Sequence, residues 1–98
     1  MKPAYFILEI DIHDPEAMQP YLAGTGATLE PYDVTPLVHG GTLDAIEGEA
    51  PRGQIVMLRF DSLAQARDWY GSPAYRAILG HRLNAAHNRA YIVEGLEG

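Results

Sequence analysis

The sequence lacks cysteine, an excess of basic residues and any long apolar run. Without cysteine, disulfide bonds and thiolate chemistry are excluded. The sequence has seven scattered basic residues and 13 acidic ones, which gives a net charge of −6. Nucleic acid and anionic membrane are therefore poor partners. The apolar N-terminal run is interrupted by Glu9 and has no small-residue cleavage site, which predicts a strand rather than a signal peptide or membrane span. We therefore expect a cytoplasmic protein.

The spacings of a metal site, a phosphate loop or a nucleophile triad are also missing. His13 and His39 fall at expected strand ends, and His81 and His87 are six positions apart on or after a helix, which is not a ligand spacing. No metal and no cofactor is expected. With 98 residues, 47% of them hydrophobic, and no repeat, residues 1–98 are predicted to form a single domain.

Two segments alternate with a period of two, which is typical of strands. In residues 4–12 and 55–61, one face is purely apolar and the other is mixed. These segments are expected to be the central pair of a sheet. The apolar face has Phe6, Leu8, Ile10, Ile12, Val56, Leu58 and Phe60, and the mixed face has Tyr5, Ile7, Glu9, Asp11, Ile55, Met57, Arg59 and Asp61.

Between these strands, Asp14 before Pro15 predicts the start of a helix. Its glycines, Gly24 and Gly26, each weaken it by roughly 1 kcal/mol relative to alanine, so it is expected to be irregular near its end. Its inward stripe is Met18, Tyr21, Leu22, Thr25 and Leu29. A second strand is expected over about residues 35–46, with Pro36 at a sheet edge and a bulge at Gly40 and Gly41.

The segment from Phe60 to Tyr75 contains two helix starts. Ser62 and Gln65 have capping-box spacing, which predicts a helix from Leu63 that ends at Gly71. Ser72 and Pro73 then start a second helix. Its apolar stripe is Tyr75, Ile78, Leu79, Leu83 and Ala86, and a last strand is expected over residues 89–94.

The predicted order is βαββαβ, the ferredoxin-like arrangement, an α+β fold with an antiparallel sheet and helices on one face. The mixed set Tyr5, Ile7, Ile55 and Met57 is too apolar to face water across a whole sheet. We therefore expect a homodimer that packs sheet to sheet.

The sequence resembles the family called domain of unknown function 1330, in the dimeric α+β barrel superfamily, over nearly its whole length. The matching pieces are YFILEIDIHDPEAM with Tyr21 downstream, LVHGG from Leu37, EGE from Glu47, FDSLAQARDWYGSPAY, Arg82 and the closing YIVEG. The resemblance implies a dimeric α+β barrel and a cavity between sheet and helices, which relatives use for small organic ligands. It implies no established reaction.

One segment departs from the family pattern. Members typically read Tyr-Gly-Gly-Arg-Phe-Leu-Val-Arg-Gly-Gly where this chain reads YDVTPLVHGG from Tyr32 to Gly41, so two glycines and two arginines are missing. If those arginines bind an anion in relatives, this protein binds a different ligand or has lost the site.

Three residues are candidates for catalysis. His39 precedes two glycines, which permit close approach of a ligand, and imidazole titrates near neutrality. Alternatively, His39 is a solvated histidine at a strand edge. Glu9 and Arg59 could position or deprotonate a ligand inside the dimer barrel, or form a structural ion pair.

The candidate ligand-binding residues are His39, Trp69, Tyr75 and Arg82. Arg82 lies beside the apolar stripe of the last helix. We expect it to face one pocket with His39 and to bind a carboxylate there. Alternatively, its aliphatic carbons pack against the core and its guanidinium reaches the surface. Trp69 and Tyr75 could form a pocket wall, or simply belong to the core. Two function classes stay open: a cofactor-independent oxygenase or isomerase of small aromatic or carboxylated compounds, and a non-catalytic ligand-binding or stress-related dimer.

Overall fold

A computed structural model describes residues 2–97 of the chain. The secondary-structure elements are β1 (Ala4–Ile12), α1 (Pro15–Leu29), β2 (Thr35–His39), β3 (Gln54–Phe60), α2 (Leu63–Tyr70), α3 (Pro73–Ala85) and β4 (Ala86–Glu94). The predicted βαββαβ order is confirmed.

The four strands form one antiparallel sheet in the order β2-β3-β1-β4. β1 and β3 are the central pair, as their matched alternation predicts, with Phe6 opposite Leu58 and Ile7 opposite Met57. Along β1, burial alternates from residue to residue through Ile10, and the buried residues face the helices. The helices therefore cover one face of the sheet and leave the other open.

β2 is an edge strand, as Pro36 predicts, but it is much shorter than expected. It ends at His39, because Gly40 has a φ of 69° and turns the chain away from the sheet. The bulge is also displaced from its predicted position, since the register shifts between Pro36 and Val38. Residues 41–53 form no strand.

The expectation that α1 is irregular near its end was wrong. It runs unbroken over 15 residues, with Asp14 accepting a hydrogen bond from the Ala17 N–H at its start. Gly24 lies against α3, where a Cβ would come within 3.3 Å of Ile78 Cγ2. Contact with α3 offsets the low helix propensity of the glycines.

The other two helices begin where the sequence predicts. The hydroxyls of Ser62 and Ser72 accept from the N–H groups of Gln65 and Tyr75, at 3.1 and 3.3 Å. The capping box of α2 is only half formed, since the Gln65 side-chain oxygen is buried without a hydrogen-bond partner among residues 2–97.

In α3, the side chain that is buried is not the one that the sequence predicts. Leu83, predicted in the apolar stripe, is 54% exposed, whereas its neighbour Arg82 is only 1% exposed. The helix passes directly into β4 at Ala86, which begins three residues earlier than predicted because Ala86 pairs with Ile12.

Candidate ligand cavity

A cavity of about 220 Å³ lies between α1 and the part of the sheet formed by β1, β3 and β2. It forms there because α1 packs chiefly on α3 rather than on the strands. Its walls are mostly apolar: Phe6, Leu8, Ile10, Ile12, Met18, Leu22, Leu29, Pro36, Val38, Val56 and Leu58.

Four lining residues carry polar groups: Tyr21, Thr25, His39 and Gln54. His39 is exposed at the end of β2, which makes it accessible both to solvent and to a molecule in the cavity. The Thr25 hydroxyl is already engaged, because it donates to the Tyr21 carbonyl at 2.5 Å.

Gly40 explains how His39 and Gln54 come to lie at the same edge of the cavity. A Cβ on Gly40 would lie 2.8 Å from the Gln54 side-chain oxygen, and its φ is one that other residues rarely adopt. The Gly40 N–H donates to the Ile55 carbonyl at 2.9 Å, which fixes the turn. Glycine therefore leaves room for the Gln54 amide beside the end of β2.

Behind one wall of the cavity lies a buried polar cluster of Tyr21, Tyr75 and Arg82. The hydroxyls of Tyr21 and Tyr75 are 2.7 Å apart, and Arg82 Nη2 donates to the Tyr75 oxygen at 3.3 Å. The guanidinium carbon of Arg82 lies 5.3 Å from the centre of the Tyr21 ring, in cation–π geometry. Tyr21 is the member that reaches the cavity.

Burial raises the pKa of the Tyr75 phenol well above its usual range, the neighbouring Tyr21 acts in the same direction, and the Arg82 guanidinium opposes both. Tyr75 is therefore a neutral hydroxyl across the physiological pH range. It can accept from Arg82 and donate onward to Tyr21.

The cavity contains His39 but not the other three candidate ligand-binding residues. Arg82 lies behind Tyr21, so the expectation that His39 and Arg82 face one cavity was wrong. Trp69 and Tyr75 are fully buried in the core, 4.1 Å apart between ring centres. Whether any of the four contacts a ligand stays a prediction.

Glu9 and Arg59 lie on the open face of the sheet, as expected, but they do not pair within the chain. Glu9 is opposite Ile55 and Arg59 is opposite Tyr5, so the two are about 13 Å apart along the strands. Glu9 instead accepts from the Tyr91 hydroxyl at 2.8 Å and lies 3.7 Å from Arg89, while Arg59 lies 3.6 Å from Asp61. The hydrogen bond to Glu9 raises the pKa of Tyr91.

Sequence reasoning missed two features of the cavity. Tyr21, Leu22 and Thr25 were expected in the core because their helical spacing suits a packed stripe; only the position of α1 leaves them beside empty space. Gln54 had no signal in the sequence, since it lies at the start of β3 and approaches His39 only through strand pairing with β2.

Among residues 2–97, no three His, Asp or Glu side chains are grouped so that they could hold a metal ion. No helix there is long and apolar enough to span a membrane.

The sheet order and the one-sided helices give the chain the ferredoxin-like α+β fold of the dimeric α+β barrels. The family model described as "Domain of unknown function (DUF1330)" matches residues 3–96, so the chain belongs to that family. No curated protein matches the sequence.

Solved structures of the same fold include a protein of known activity. RPA0582 from Rhodopseudomonas palustris, a protein of unknown function, is 18% identical with a TM-score of 0.72, over 99% of this chain and 85% of that one. SnoaB, a cofactor-independent oxygenase from Streptomyces nogalater, is 11% identical with a TM-score of 0.67, over 100% and 97% of the two chains. The Arabidopsis thaliana protein AT3G17210 is 14% identical with a TM-score of 0.66, over 100% and 90%. At these identities the likeness shows the fold alone.

Proposed function

We propose that the protein binds a small, mostly apolar organic molecule in the cavity between α1 and the sheet. The observation that carries this proposal is a cavity of about 220 Å³ with largely apolar walls and a few polar groups, including His39 and Gln54 at one edge. Apolar walls with a few convergent polar groups are the usual composition of a small-molecule site.

The cavity volume sets the size of the ligand. It exceeds the roughly 150 Å³ of an apolar cavity that holds benzene. It is smaller than the roughly 300 Å³ at which sites for drug-sized ligands begin. A molecule of one or two rings fits between these limits, with its polar substituent directed toward Tyr21 or toward His39 and Gln54.

We further propose that the protein is a cofactor-independent enzyme, an oxygenase or isomerase, in which His39 takes a proton from the bound molecule. An imidazole at the edge of an apolar cavity is a suitable general base near neutral pH. The cofactor-independent oxygenase SnoaB shares this fold, which supports the proposal by analogy of fold. The competing candidate is a binding protein without catalysis, which the exposure of His39 favours.

The open sheet face supports the proposal of a homodimer. Ile7, Ile55 and Met57 are half-buried there with no helix above them, and on β4 the adjacent Tyr91 and Val93 are 44% and 48% exposed. A second copy laid sheet to sheet would cover these side chains.

The cavity is tested by filling it. Leu22 lines the cavity and is 48% exposed, so Leu22→Trp can extend over the opening without disrupting the core. We expect it to abolish the shifts that one- and two-ring compounds such as nitrobenzene cause in the NMR signals of the Val56 and Leu58 methyls. The matched control is Leu83→Trp, on the outer side of α3 at 54% exposure, which should bind normally. Equal binding by both variants would place the ligand elsewhere.

Catalysis is separated from binding by proton exchange. If His39 is a base, the protein should speed the exchange of the acidic C–H protons of 2-indanone for deuterium, as followed by NMR in D₂O. His39→Gln should remove this acceleration while leaving binding intact, and His81→Gln, at an exposed position on α3, should not change it. Binding without acceleration in the wild type would favour the non-catalytic candidate.

The dimer is tested at the centre of the open face. Met57→Asp should halve the mass measured by light scattering at micromolar concentration, because the carboxylate would be desolvated at the interface. Leu83→Asp, on the exposed side of α3, should leave the mass unchanged. A monomeric mass for the wild type would refute the proposed dimer.

A further inference from the structure

Arg82 is a buried cation that has no counter-ion among residues 2–97. Its side chain is 1% exposed, and its Nε and Nη1 atoms are buried without a hydrogen-bond partner among residues 2–97. Its guanidinium donates a hydrogen bond from Nη2 to the Tyr75 hydroxyl at 3.3 Å. Within the same residues, the ion pairs made by arginine are those of Arg59 and Arg89, so no carboxylate neutralises Arg82.

Such an arrangement is costly for the protein alone. Buried charges in proteins are normally paired, because an isolated ion loses its hydration without compensation. The neighbouring Tyr75 phenol is not an anion at neutral pH, since burial raises its pKa. A negative charge supplied from outside the chain would compensate Arg82, and the adjacent cavity is where such a charge can bind.

Hydrogen bonds connect Arg82 through Tyr75 to Tyr21, which lines the cavity. Tyr75 accepts from Arg82, which leaves its own proton free to be donated to the Tyr21 oxygen 2.7 Å away. The Tyr21 proton is then free for an acceptor in the cavity that Tyr21 lines. In this arrangement each hydroxyl would accept one hydrogen bond and donate one, with both O–H groups directed away from the guanidinium.

We propose that the cavity binds its ligand as an oxyanion, a phenolate, enolate or carboxylate, with Tyr21 donating to the charged oxygen and Arg82 acting through Tyr75 as the compensating charge. This inference rests on the proposed function and specifies the class of ligand for the same cavity. Arg82 is in this account a positioning and charge-compensating residue that does not itself touch the ligand.

The size of the effect follows from the geometry. The guanidinium carbon lies 5.3 Å from the centre of the Tyr21 ring. A ligand oxygen that accepts from the Tyr21 hydroxyl would lie a few ångströms farther away. At an effective dielectric constant of about 20, a unit charge at such a distance favours an anion over the neutral form by about tenfold or more. A tenfold preference lowers the pKa of a bound acid by about one unit.

The probe that tests this is 4-nitrophenol, a single ring whose ionised form is yellow, so its absorbance reports its own pKa when bound. In the wild type, we expect the bound probe to ionise about one pH unit below the free probe. Arg82→Gln should abolish this shift. Tyr75→Phe keeps the ring in the core but removes the middle hydroxyl, and it should reduce the preference to about threefold or less.

Two controls make the outcomes distinct. Arg76→Gln removes a positive charge from the exposed side of α3, where Arg76 lies over Tyr70, and it should leave the shift intact. Nitrobenzene, which cannot ionise, should bind the wild type and Tyr75→Phe equally.

If nitrobenzene binds but the pKa of bound nitrophenol is unchanged or raised, the oxyanion inference is overturned and the cavity stands. If neither compound binds the wild type, the proposed function fails as well. Should Arg82→Gln not fold, as circular dichroism would show, Tyr75→Phe decides the matter.

Discussion

On the helical side of the sheet, the half beneath α2 and α3 is filled with aromatic rings, whereas the half beneath α1 is hollow. In the filled half, Trp69 lies edge-on to Phe6 at 5.1 Å and also contacts Phe60 and Tyr75 at 5.3 and 4.1 Å. The Trp69 N–H donates to the Thr28 hydroxyl at 3.1 Å, so its polar atom is satisfied as well. In the hollow half, aliphatic side chains of α1 and the strands surround about 220 Å³ of space.

The difference arises from how α1 is held. α1 packs on α3 through Gly24 and Ile78, and the aromatic side chains of α2 and α3 occupy the sheet beneath their own helices. The shorter side chains beneath α1 do not reach across the gap that remains. One half of the layer is thus tightly packed and the other holds the cavity. Tyr21 and Thr28 of α1 join the two halves, because they hydrogen-bond to Tyr75 and Trp69.

The largest expected effect is the loss of Trp69. Trp69→Ala should lower the free energy of unfolding by about 3–5 kcal/mol, because it removes a fully buried ring and leaves a cavity. In the hollow half, Leu22→Ala should cost under about 1 kcal/mol, since that side chain is half exposed and faces empty space. Urea denaturation monitored by circular dichroism measures both. Equal costs would mean that the two halves do not differ in packing.

Alkaline pH should lower the free energy of unfolding through Tyr75, which contacts Tyr21 where the two halves meet. The pKa of Tyr75 is raised in the folded protein above its unfolded value of 10.0, so both states keep this proton below pH 10. Above it, the unfolded state ionises first, and stability should fall by about 1.4 kcal/mol per pH unit from this residue. Thermal melts from pH 8 to 11 should show a steeper decline in the wild type than in Tyr75→Phe. Parallel declines would contradict the assignment.

The helix caps should not distinguish the two halves, because capping acts locally at each helix end. Ser62→Ala, at the start of α2, and Asp14→Ala, at the start of α1, should each cost about 1 kcal/mol of unfolding free energy. Both variants should bind a cavity ligand normally. A loss of binding in Ser62→Ala without a loss of stability would show that Ser62 is more than a cap.

The smallest expected effect tests how α1 is held. Gly26→Ala meets no neighbour and should stabilise the protein by about 0.5–1 kcal/mol through helix propensity. At Gly24 the same change brings a methyl within 3.3 Å of Ile78, so the gain should be cancelled or reversed. Melting temperatures of the two variants measure this difference. An equal gain at both positions would show that α1 is not tightly packed on α3.

Much of the fold could be predicted because its signals are local. The period-two alternation identified β1 and β3 as the central pair. Ser62 and Gly71 marked the two ends of α2, and Ser72 with Pro73 marked the start of α3. The misplaced end of β2 has a different cause, since Gly40 could equally have formed a bulge, and only its positive φ shows that the chain turns there.

The candidate site was less predictable than the fold. His39 was singled out from its two following glycines, and it does line the cavity. The burial of Arg82 could not be predicted. Arg82 and Leu83 are consecutive around the helix and both lie near its apolar stripe, and the sequence favours burying the leucine. The phenols of Tyr75 and Tyr21, which come from different helices, make the buried position available to the arginine instead.

By itself, the sequence determined the order of the elements, the two faces of the central strands and the helix starts, since each depends on residues a few positions apart. The tertiary structure alone decided that α1 rests on α3, that a cavity remains beneath it, and that Arg82 is buried behind Tyr21. Those features depend on contacts between residues far apart in the chain, such as the 54 positions between Tyr21 and Tyr75. No local pattern encodes which side chains meet across that distance, because close packing selects them only when all the elements are in place.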